Sequence, residues 1–257
     1  MKNQFPFRLG TTSFILRDDI LPNVHYLKDK VDHIELLVLE TDEQSNYPSP
    51  ETIAELNAVA TDHDLTYTVH LPLGIKLGSP DETRRRKYVE AVLRAIEATA
   101  PLNPLAWDLH LEQNDTEPLD GPAWQAACIT SLNELKAGGA DPARIGVETL
   151  EFDFAQTVPV LDETGFAITL DIGHVWYRNY DEAFYLAHYL PRAISFHMHG
   201  FNEERDHKSL HHIPPQQLKR FLDAVSARPN AARLPVSIEV FDEKYLTPSL
   251  EALNELV

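Results

Sequence analysis

Strand-like and helix-like segments alternate along almost the whole chain, and this alternation limits the possible folds more than any other feature. Eight short runs have the apolar character of buried strands, at residues 7–12, 33–39, 66–71, 106–111, 145–150, 167–172, 193–198 and 236–241. Eight segments with apolar residues at helical spacing follow them, at 19–28, 50–62, 81–98, 122–136, 154–163, 181–190, 214–227 and 248–256. Strict alternation implies a parallel sheet, and eight units predict closure into a (β/α)8 TIM barrel.

Prolines mark the expected starts of several helices. Pro50 follows the capping residue Ser49, while Pro122, Pro214 and Pro248 stand near the beginning of other periodic segments. Proline lacks a backbone N–H, and that loss costs little at the first position of a helix. We therefore expect the last helix to begin at Pro248.

Length, composition and charge narrow the class of protein. With 257 residues, 43% of them hydrophobic, the chain can build one large core, so we expect a single domain over 1–257. Forty acidic against 22 basic residues give a formal charge of −18, which argues against nucleic acid as a partner. Cys128 is the only cysteine, so neither a disulfide framework nor a thiolate metal site is expected.

The sequence carries no recognisable targeting signal. The first residues lack the apolar core of a signal peptide, and no apolar run approaches the length of a membrane span. We therefore expect a cytoplasmic protein without a membrane partner. The sequence leaves the oligomeric state open.

Metal-capable side chains occur at or just past the ends of six predicted strands. The set consists of His70, His110, Glu148, Asp171, His174, His197 and Glu239. A histidine or carboxylate at the end of an apolar run must be desolvated or partnered, and for any single residue a structural partner is the ordinary explanation. The C-terminal strand ends of a barrel meet on one face, where active sites are built. Convergence on shared cations therefore explains the whole set most simply.

The two-residue period of a strand leaves a choice among neighbouring side chains. His197 and His199 share one strand face, as do Asp108, His110 and Glu112. We favour His110 and His197 as ligands because they stand at the last apolar step of their strands. Glu112 and His199 are then expected to lie higher, in the mouth of the barrel or behind the ligands and in contact with them.

This ligand set is suited to a cluster of divalent transition metals. Imidazole and carboxylate without thiolate suit zinc, manganese, iron or cobalt, and we take zinc or manganese as the working choice. Seven ligands exceed the needs of one cation, so we expect two or three ions with Glu148 as the bridge. Such a cluster orients a phosphate and stabilises entering and leaving oxygens, which points to hydrolysis of a phosphate ester. Glu148, Glu239 and His174 are the predicted catalytic residues.

A charged loop after the seventh predicted strand is a candidate for substrate binding. It contains Arg205, Asp206, His207 and Lys208, which offer both phosphate contacts and further metal ligands. A solvated surface loop is the competing interpretation.

At this point the residues resemble a known superfamily, the xylose isomerase-like barrels that include apurinic endonuclease family 2. Within it, the chain is most similar to the cobamide-remodelling phosphodiesterases of the CbiR type. The matching segments span nearly the whole chain: Leu9-Gly10-Thr11-Thr12-Ser13, Ile34-Glu35-Leu36-Leu37, Tyr67-Thr68-Val69-His70-Leu71-Pro72-Leu73, Asp171-Ile172-Gly173-His174, His197-Met198-His199-Gly200, Arg205-Asp206-His207 and Ser237-Ile238-Glu239-Val240-Phe241.

The resemblance implies an enzyme that hydrolyses the phosphodiester in the nucleotide loop of a cobamide. Its products would be cobinamide phosphate and an α-riboside such as α-ribazole. The superfamily's metal positions carry over to the seven residues named above. One departure concerns the loop after the seventh strand, where the endonucleases place an acid and a histidine two residues apart, whereas Asp206 and His207 are adjacent.

Three other functions compete with this interpretation. A one-metal sugar or sugar-phosphate isomerase or epimerase needs only Glu148, Asp171, His197 and Glu239, with the two glutamates as proton-transfer bases. His70 and His110 speak against it, because one metal has little use for two further imidazoles. An abasic-site nuclease conflicts with the acidic chain. A corrinoid-binding module without catalysis does not explain several metal sites.

Overall fold

A computed structural model describes residues 1–40, 45–113 and 121–256. Eight parallel strands pair in chain order and close into a barrel. The strands are β1 (Arg8–Thr12), β2 (His33–Leu37), β3 (Thr66–His70), β4 (Trp107–Leu109), β5 (Ile145–Glu148), β6 (Ala167–Asp171), β7 (Ala193–Met198) and β8 (Pro235–Ile238). The pairing of β1 with β8 closes the sheet, so the barrel has no free edge. This is the predicted (β/α)8 architecture.

Helices surround the barrel. They are α1 (Ile20–Leu27), α2 (Pro50–His63), α3 (Glu82–Thr99), α4 (Gly121–Ala137), α5 (Val158–Thr164), α6 (Ile172–Tyr177), α7 (Glu182–His188), α8 (Pro215–Ser226) and α9 (Glu243–Asn254). No helix in the described ranges is long and apolar enough to cross a membrane.

The structure corrects the sequence prediction at two helices. The last helix begins at Glu243 rather than at Pro248, because the Asp242 carboxylate accepts a hydrogen bond from the Lys244 N–H and caps α9 five residues earlier. Pro248 therefore lies inside the helix. The second difference is α6, a short helix that the periodicity did not predict and that begins directly after β6.

The two faces of the strands have different chemistry. Residues such as Val69, Val147 and Leu170 are fully buried against the surrounding helices. The alternate positions, which face the barrel axis, are small or polar, as at Gly146 and Thr169. The barrel interior therefore holds hydrogen-bonding groups from which water is excluded, and the carboxyl ends of the strands bring them together.

Gly146 allows β5 and β6 to approach closely inside the barrel. A Cβ atom at this position would lie 2.0 Å from Thr169 Oγ1 and 2.9 Å from the Thr169 nitrogen. The same hydroxyl donates a 2.6 Å hydrogen bond to Asp108 Oδ1 on β4. A side chain at residue 146 would therefore disturb three neighbouring strands.

We expect Gly146→Ala to lower the free energy of unfolding by about 1–3 kcal/mol, the usual cost of overpacking a core. Urea denaturation followed by circular dichroism measures the change. Gly121→Ala is the matched control, because a Cβ at the start of α4 meets nothing within 4 Å. An unchanged unfolding midpoint for Gly146→Ala would show that β5 and β6 do not pack in this way.

Candidate metal centre

The seven predicted ligands converge at the C-terminal mouth of the barrel. His70, Glu148 and Asp171 are the last residues of their strands, and His110 and Glu239 come directly after theirs. His197 is the penultimate residue of β7, and His174 lies in α6. All except His110 are buried, and the His110 side chain is 17% exposed. The placement inferred from the strand ends is therefore what the structure contains.

The centre of the cluster is a group of four ligand-capable residues. One ligand atom from each of Glu148, Asp171, His197 and Glu239 lies within 4.8 Å of all the others. His197 Nδ1 is 3.4 Å from Glu148 Oε1 and 3.5 Å from Glu239 Oε2. These distances exceed a hydrogen bond but match the separation of atoms that share a small cation.

A second group shares Glu148 with the first. His110 Nε2 lies 3.0 Å from Glu148 Oε2, and His70 Nε2 lies 3.6 Å from the same oxygen. His70 Nδ1 is 2.8 Å from the Leu71 carbonyl oxygen and can donate to it. That hydrogen bond leaves the Nε2 lone pair of His70 directed at the carboxylate, as in ligating histidines. Glu148 therefore belongs to both groups, and it is the residue for which the sequence predicted a bridging role.

A third group contains three imidazoles, those of His174, His199 and His207. His199, which was expected either in the mouth or behind the ligands, is fully buried with Nε2 3.3 Å from Asp171 Oδ2. Its position follows from the two-residue strand period, which places His199 on the same side of the chain as His197. Asp206 also reaches this group, with Oδ2 3.7 Å from His174 Nδ1.

Local backbone features explain how adjacent loop residues reach this group. His207 has a φ of 50°, in the left-handed region, and its backbone nitrogen lies 3.2 Å from His199 Nδ1. The hairpin bridge between Gly200 and Lys208 fixes the loop on both sides. The unusual backbone conformation turns His207 toward the imidazoles although Asp206 precedes it directly.

The helix α6 exists because Asp171 caps it. Asp171 Oδ1 accepts hydrogen bonds from the Gly173 N–H at 2.6 Å and the His174 N–H at 3.2 Å. The other oxygen remains directed toward His199. Gly173 is required at this turn, because a Cβ there would lie 2.4 Å from the His199 ring. One carboxylate therefore starts the helix and also faces the imidazole cluster.

Two buried acids near the centre were not predicted as site residues. Glu35 Oε2 lies 3.5 Å from His197 Nε2, and Asp108 Oδ2 lies 3.7 Å from it. The side chains of Glu35 and Asp108 are fully buried. Glu35 stands in the middle of an apolar strand, where an acid is unusual, and that was the available signal. These acids face the ring nitrogen of His197 that points away from Glu148.

Several buried polar atoms of the cluster have no hydrogen-bond partner among the described residues. They are Asp171 Oδ2, His174 Nδ1, His197 Nδ1 and Nε2, His199 Nε2, Glu239 Oε2, Asp108 Oδ2 and both Glu35 carboxylate oxygens. Buried polar groups are normally paired, and leaving them unpaired is costly. These atoms belong to the three groups described above or to Glu35 and Asp108, the two acids beside His197 Nε2. A shared cation would satisfy several at once, so the donor set fits divalent metals.

Electrostatics in the cluster favour positive charge. Burial disfavours the charged form of His110, but the Glu148 carboxylate and its neighbours outweigh burial and raise the pKa of His110 to about 10. Burial likewise opposes ionisation of Glu148, yet the imidazoles of His197 and His110 hold its pKa well below the ordinary value. For His199, Asp171 overcomes burial and raises the pKa to about 9. Without a metal, protons compensate these acids.

An open cavity of about 590 Å³ leads to the cluster. Its walls include His110, His174, Asp206 and His207 together with rim residues. The cations at this rim are paired: Lys76 binds Glu112, and Arg178 binds Glu151. The cavity therefore exposes the metal-capable groups to a ligand through a largely charge-balanced rim.

The charged loop divides between two surroundings. Asp206 and His207 face the imidazole group, whereas Arg205 and Lys208 both donate to the hydroxyl of Tyr245 on α9. The sequence had grouped all four as substrate-binding candidates.

We expect metal binding to release protons at pH 7. His110 and His199, with pKa values of about 10 and 9, carry protons at that pH in metal-free protein. A metal needs the imidazole lone pair, so each protonated ligand must lose its proton first. Calorimetric titration of metal-free protein with Zn²⁺ in buffers of different ionisation enthalpy measures the number released. His110→Gln should release about one proton fewer, and heats independent of the buffer would contradict the expectation.

Comparison with known proteins extends the structural result. Residues 27–256 match the model of a family described as the xylose isomerase-like TIM barrel. No curated protein sequence matches the chain. Among solved structures, a D-tagatose 3-epimerase-like protein is 18% identical, with a TM-score of 0.77 and 97% of each chain covered.

Two other solved structures are similar to the chain over nearly their whole length. Endonuclease IV from Thermus thermophilus is 16% identical, with 96% of this chain and 99% of that one covered and a TM-score of 0.69. An IOLI protein with a bound zinc atom is 12% identical, with 98% of both chains covered and a TM-score of 0.74. At these identities the similarity establishes the fold, and the family match over most of the chain establishes membership. The chain belongs to the xylose isomerase-like TIM barrel family.

Proposed function

We propose that the protein is a metal-dependent phosphodiesterase that cleaves the nucleotide loop of a cobamide into cobinamide phosphate and an α-riboside. The observation that carries the phosphodiesterase part is the number of ligand groups. His70 and His110 extend the central four residues on one side, and the group of His174, His199 and His207 extends them on the other. The central four residues would suffice for one metal, so these five further imidazoles favour more than one ion.

Each group of residues would have its own role in binding the metals or the substrate. Glu148 would hold two cations at once, since its two oxygens face different groups. His70 and His110 would complete one site, and Asp171 with Glu239 would complete the other. Divalent ions in these sites, zinc or manganese, would supply Lewis acidity and positive charge toward a phosphoryl group. His174 lines both the cavity and the imidazole group, so it can contact a substrate that enters from the mouth.

The mouth of the barrel offers apolar surface for a large ring. Phe14, Leu73 and Phe241 follow β1, β3 and β8, and they are 39%, 53% and 39% exposed. Large exposed apolar side chains at one face of a barrel are typical of a ligand-binding surface. Trp176 does not contribute to this rim, since its side chain is buried against Phe221 of α8. A corrin ring fits an open rim better than a closed pocket, and the cobamide assignment otherwise rests on the sequence resemblance.

A sugar epimerase or isomerase is the second candidate. The central group of Glu148, Asp171, His197 and Glu239 would suffice for one metal with two carboxylates beside it. Several similar solved structures bear the names of sugar epimerases, among them D-psicose 3-epimerase from Clostridium cellulolyticum H10. In this alternative Glu148 and Glu239 would transfer protons on opposite sides of a bound sugar.

Product analysis tests the cobamide assignment directly. Incubation of the metal-loaded protein with a cobamide should yield a corrinoid that retains the phosphate, together with the free α-riboside, because the scissile bond joins phosphate to the riboside. Mass spectrometry of the chromatographed products distinguishes this corrinoid from dephosphorylated cobinamide. Glu148→Gln is the inactive control. An intact cobamide after prolonged incubation would contradict the proposal.

Substitution of an imidazole outside the central group separates the two candidates. His110→Ala should lower phosphodiesterase activity by about 100-fold or more, because removing a ligand empties one of the cooperating sites. A one-metal epimerase should keep its metal and most of its activity, because His110 lies outside the central four residues. Cobamide cleavage and ketose epimerisation are measured on the same preparations, with metal content and thermal stability recorded. Unchanged cleavage by His110→Ala at reduced metal content would refute a role for this site.

A further inference from the structure

Two cations without a carboxylate partner among the described residues meet at the hydroxyl of Tyr245, next to the loop that supplies Asp206 and His207. The Arg205 guanidinium donates to Tyr245 Oη at 2.9 Å, and Lys208 Nζ donates to it at 3.0 Å. The two nitrogens are therefore at most 5.9 Å apart, the sum of these distances. Like charges repel, and an anion bound between these two nitrogens would interact favourably with both of them.

The pairing of other cations makes this position unusual. At the same mouth Lys76 and Arg178 each bind a glutamate, and on α9 Lys244 binds Asp242. Among the described residues, neither Arg205 nor Lys208 forms an ion pair with a carboxylate. The chain carries 40 acidic residues and only 22 basic ones. Two adjacent cations without an acid are therefore not an accident of a basic surface.

Backbone hydrogen bonds hold both segments that meet at the Tyr245 phenol, the loop that carries Lys208 and the helix α9. Lys208 exchanges backbone hydrogen bonds of 2.7 and 2.8 Å with Gly200, which hold the end of the loop. Tyr245 lies in the first turn of α9, beside the buried Leu246. The Nζ atom of Lys208 also lies 4.9 Å from the Tyr245 ring centroid. The cations thus have a preorganised position, which reduces the entropy lost on binding an anion.

We propose that Arg205, Lys208 and Tyr245 form a phosphoryl-binding subsite outside the metal centre. The planar guanidinium and the ammonium supply charge-assisted donors to the oxygens of one phosphoryl group, and the phenol adds a neutral donor. Asp206 and His207, which lie between the two cations in sequence, face the metal-capable imidazoles. The same loop therefore contributes both to the subsite and to the candidate metal centre, so a phosphate bound in the subsite would lie near that centre. The subsite favours phosphorylated substrates or products whichever reaction the centre performs.

Ionisation of Tyr245 gives a direct measure of occupancy. Hydrogen bonds from Lys208 and Arg205 lower the pKa of Tyr245 below its ordinary value. A bound phosphate neutralises these cations, so it must raise that pKa and remove phenolate at fixed alkaline pH. The ultraviolet absorbance of phenolate reports the change, and Tyr245→Phe supplies the blank for the remaining tyrosines.

The experiment titrates the metal-loaded protein with inorganic phosphate at about pH 9, below the ordinary tyrosine pKa of about 10. The wild type should show a saturable, roughly tenfold fall in the phenolate-to-phenol ratio of Tyr245. This is the size expected when the effect of one neighbouring positive charge on the tyrosine pKa is lost. Sodium chloride at equal ionic strength should produce a smaller, non-saturating change. Lys219→Gln, which removes a lysine paired with Asp223 on α8, should respond like the wild type.

The double substitution Arg205→Gln/Lys208→Gln should abolish the phosphate response while preserving the fold, because both side chains lie on the loop surface. An equal effect of chloride, or an undiminished response in the double variant, overturns the subsite. So does a wild-type titration identical to that of Tyr245→Phe before phosphate is added, since the cations would then not converge on the phenol. None of these outcomes depends on cobamide cleavage.

Discussion

The rest of the structure depends on the burial of many charged groups at one end of a closed barrel. Glu148, Asp171 and Glu239 are withdrawn from water together with the imidazoles that face them. Removing an isolated carboxylate from water is costly, and a buried pair repays that cost only with good geometry. The barrel wall must therefore hold these groups rigidly while a proton or cation compensates their charge.

The scaffold meets this demand by dividing the strands into two faces. Apolar side chains such as Leu170 and Phe196 pack outward against the helices, so stability comes from a part of the molecule that the site does not use. The interior face is free to carry polar groups. Thr169 shows the consequence, since its hydroxyl binds Asp108 and so fixes one of the acids below His197.

The groups around Glu148 also explain why two functions remain in competition within one family. Glu148 belongs both to the central four residues and to the group with His70 and His110, so a ligand set for several ions would contain the set that one ion needs. The same fold occurs among the similar solved structures in proteins named as a sugar epimerase and as an endonuclease, so the fold alone does not decide the chemistry.

The sequence by itself determined the barrel, because eight apolar runs separated by amphipathic segments can bury their faces in few other ways. It also located the seven ligand candidates, since the end of a strand is a local property and the C-terminal ends of parallel strands share one face. It did not place Glu35 or Asp108 in the site, because their contacts depend on which side chains from distant strands meet across the barrel axis. Likewise α6 and the contact of Arg205 and Lys208 with Tyr245 arise from an aspartate cap and from the packing of a loop on α9. Such contacts join residues far apart in sequence, and only the tertiary structure decides them.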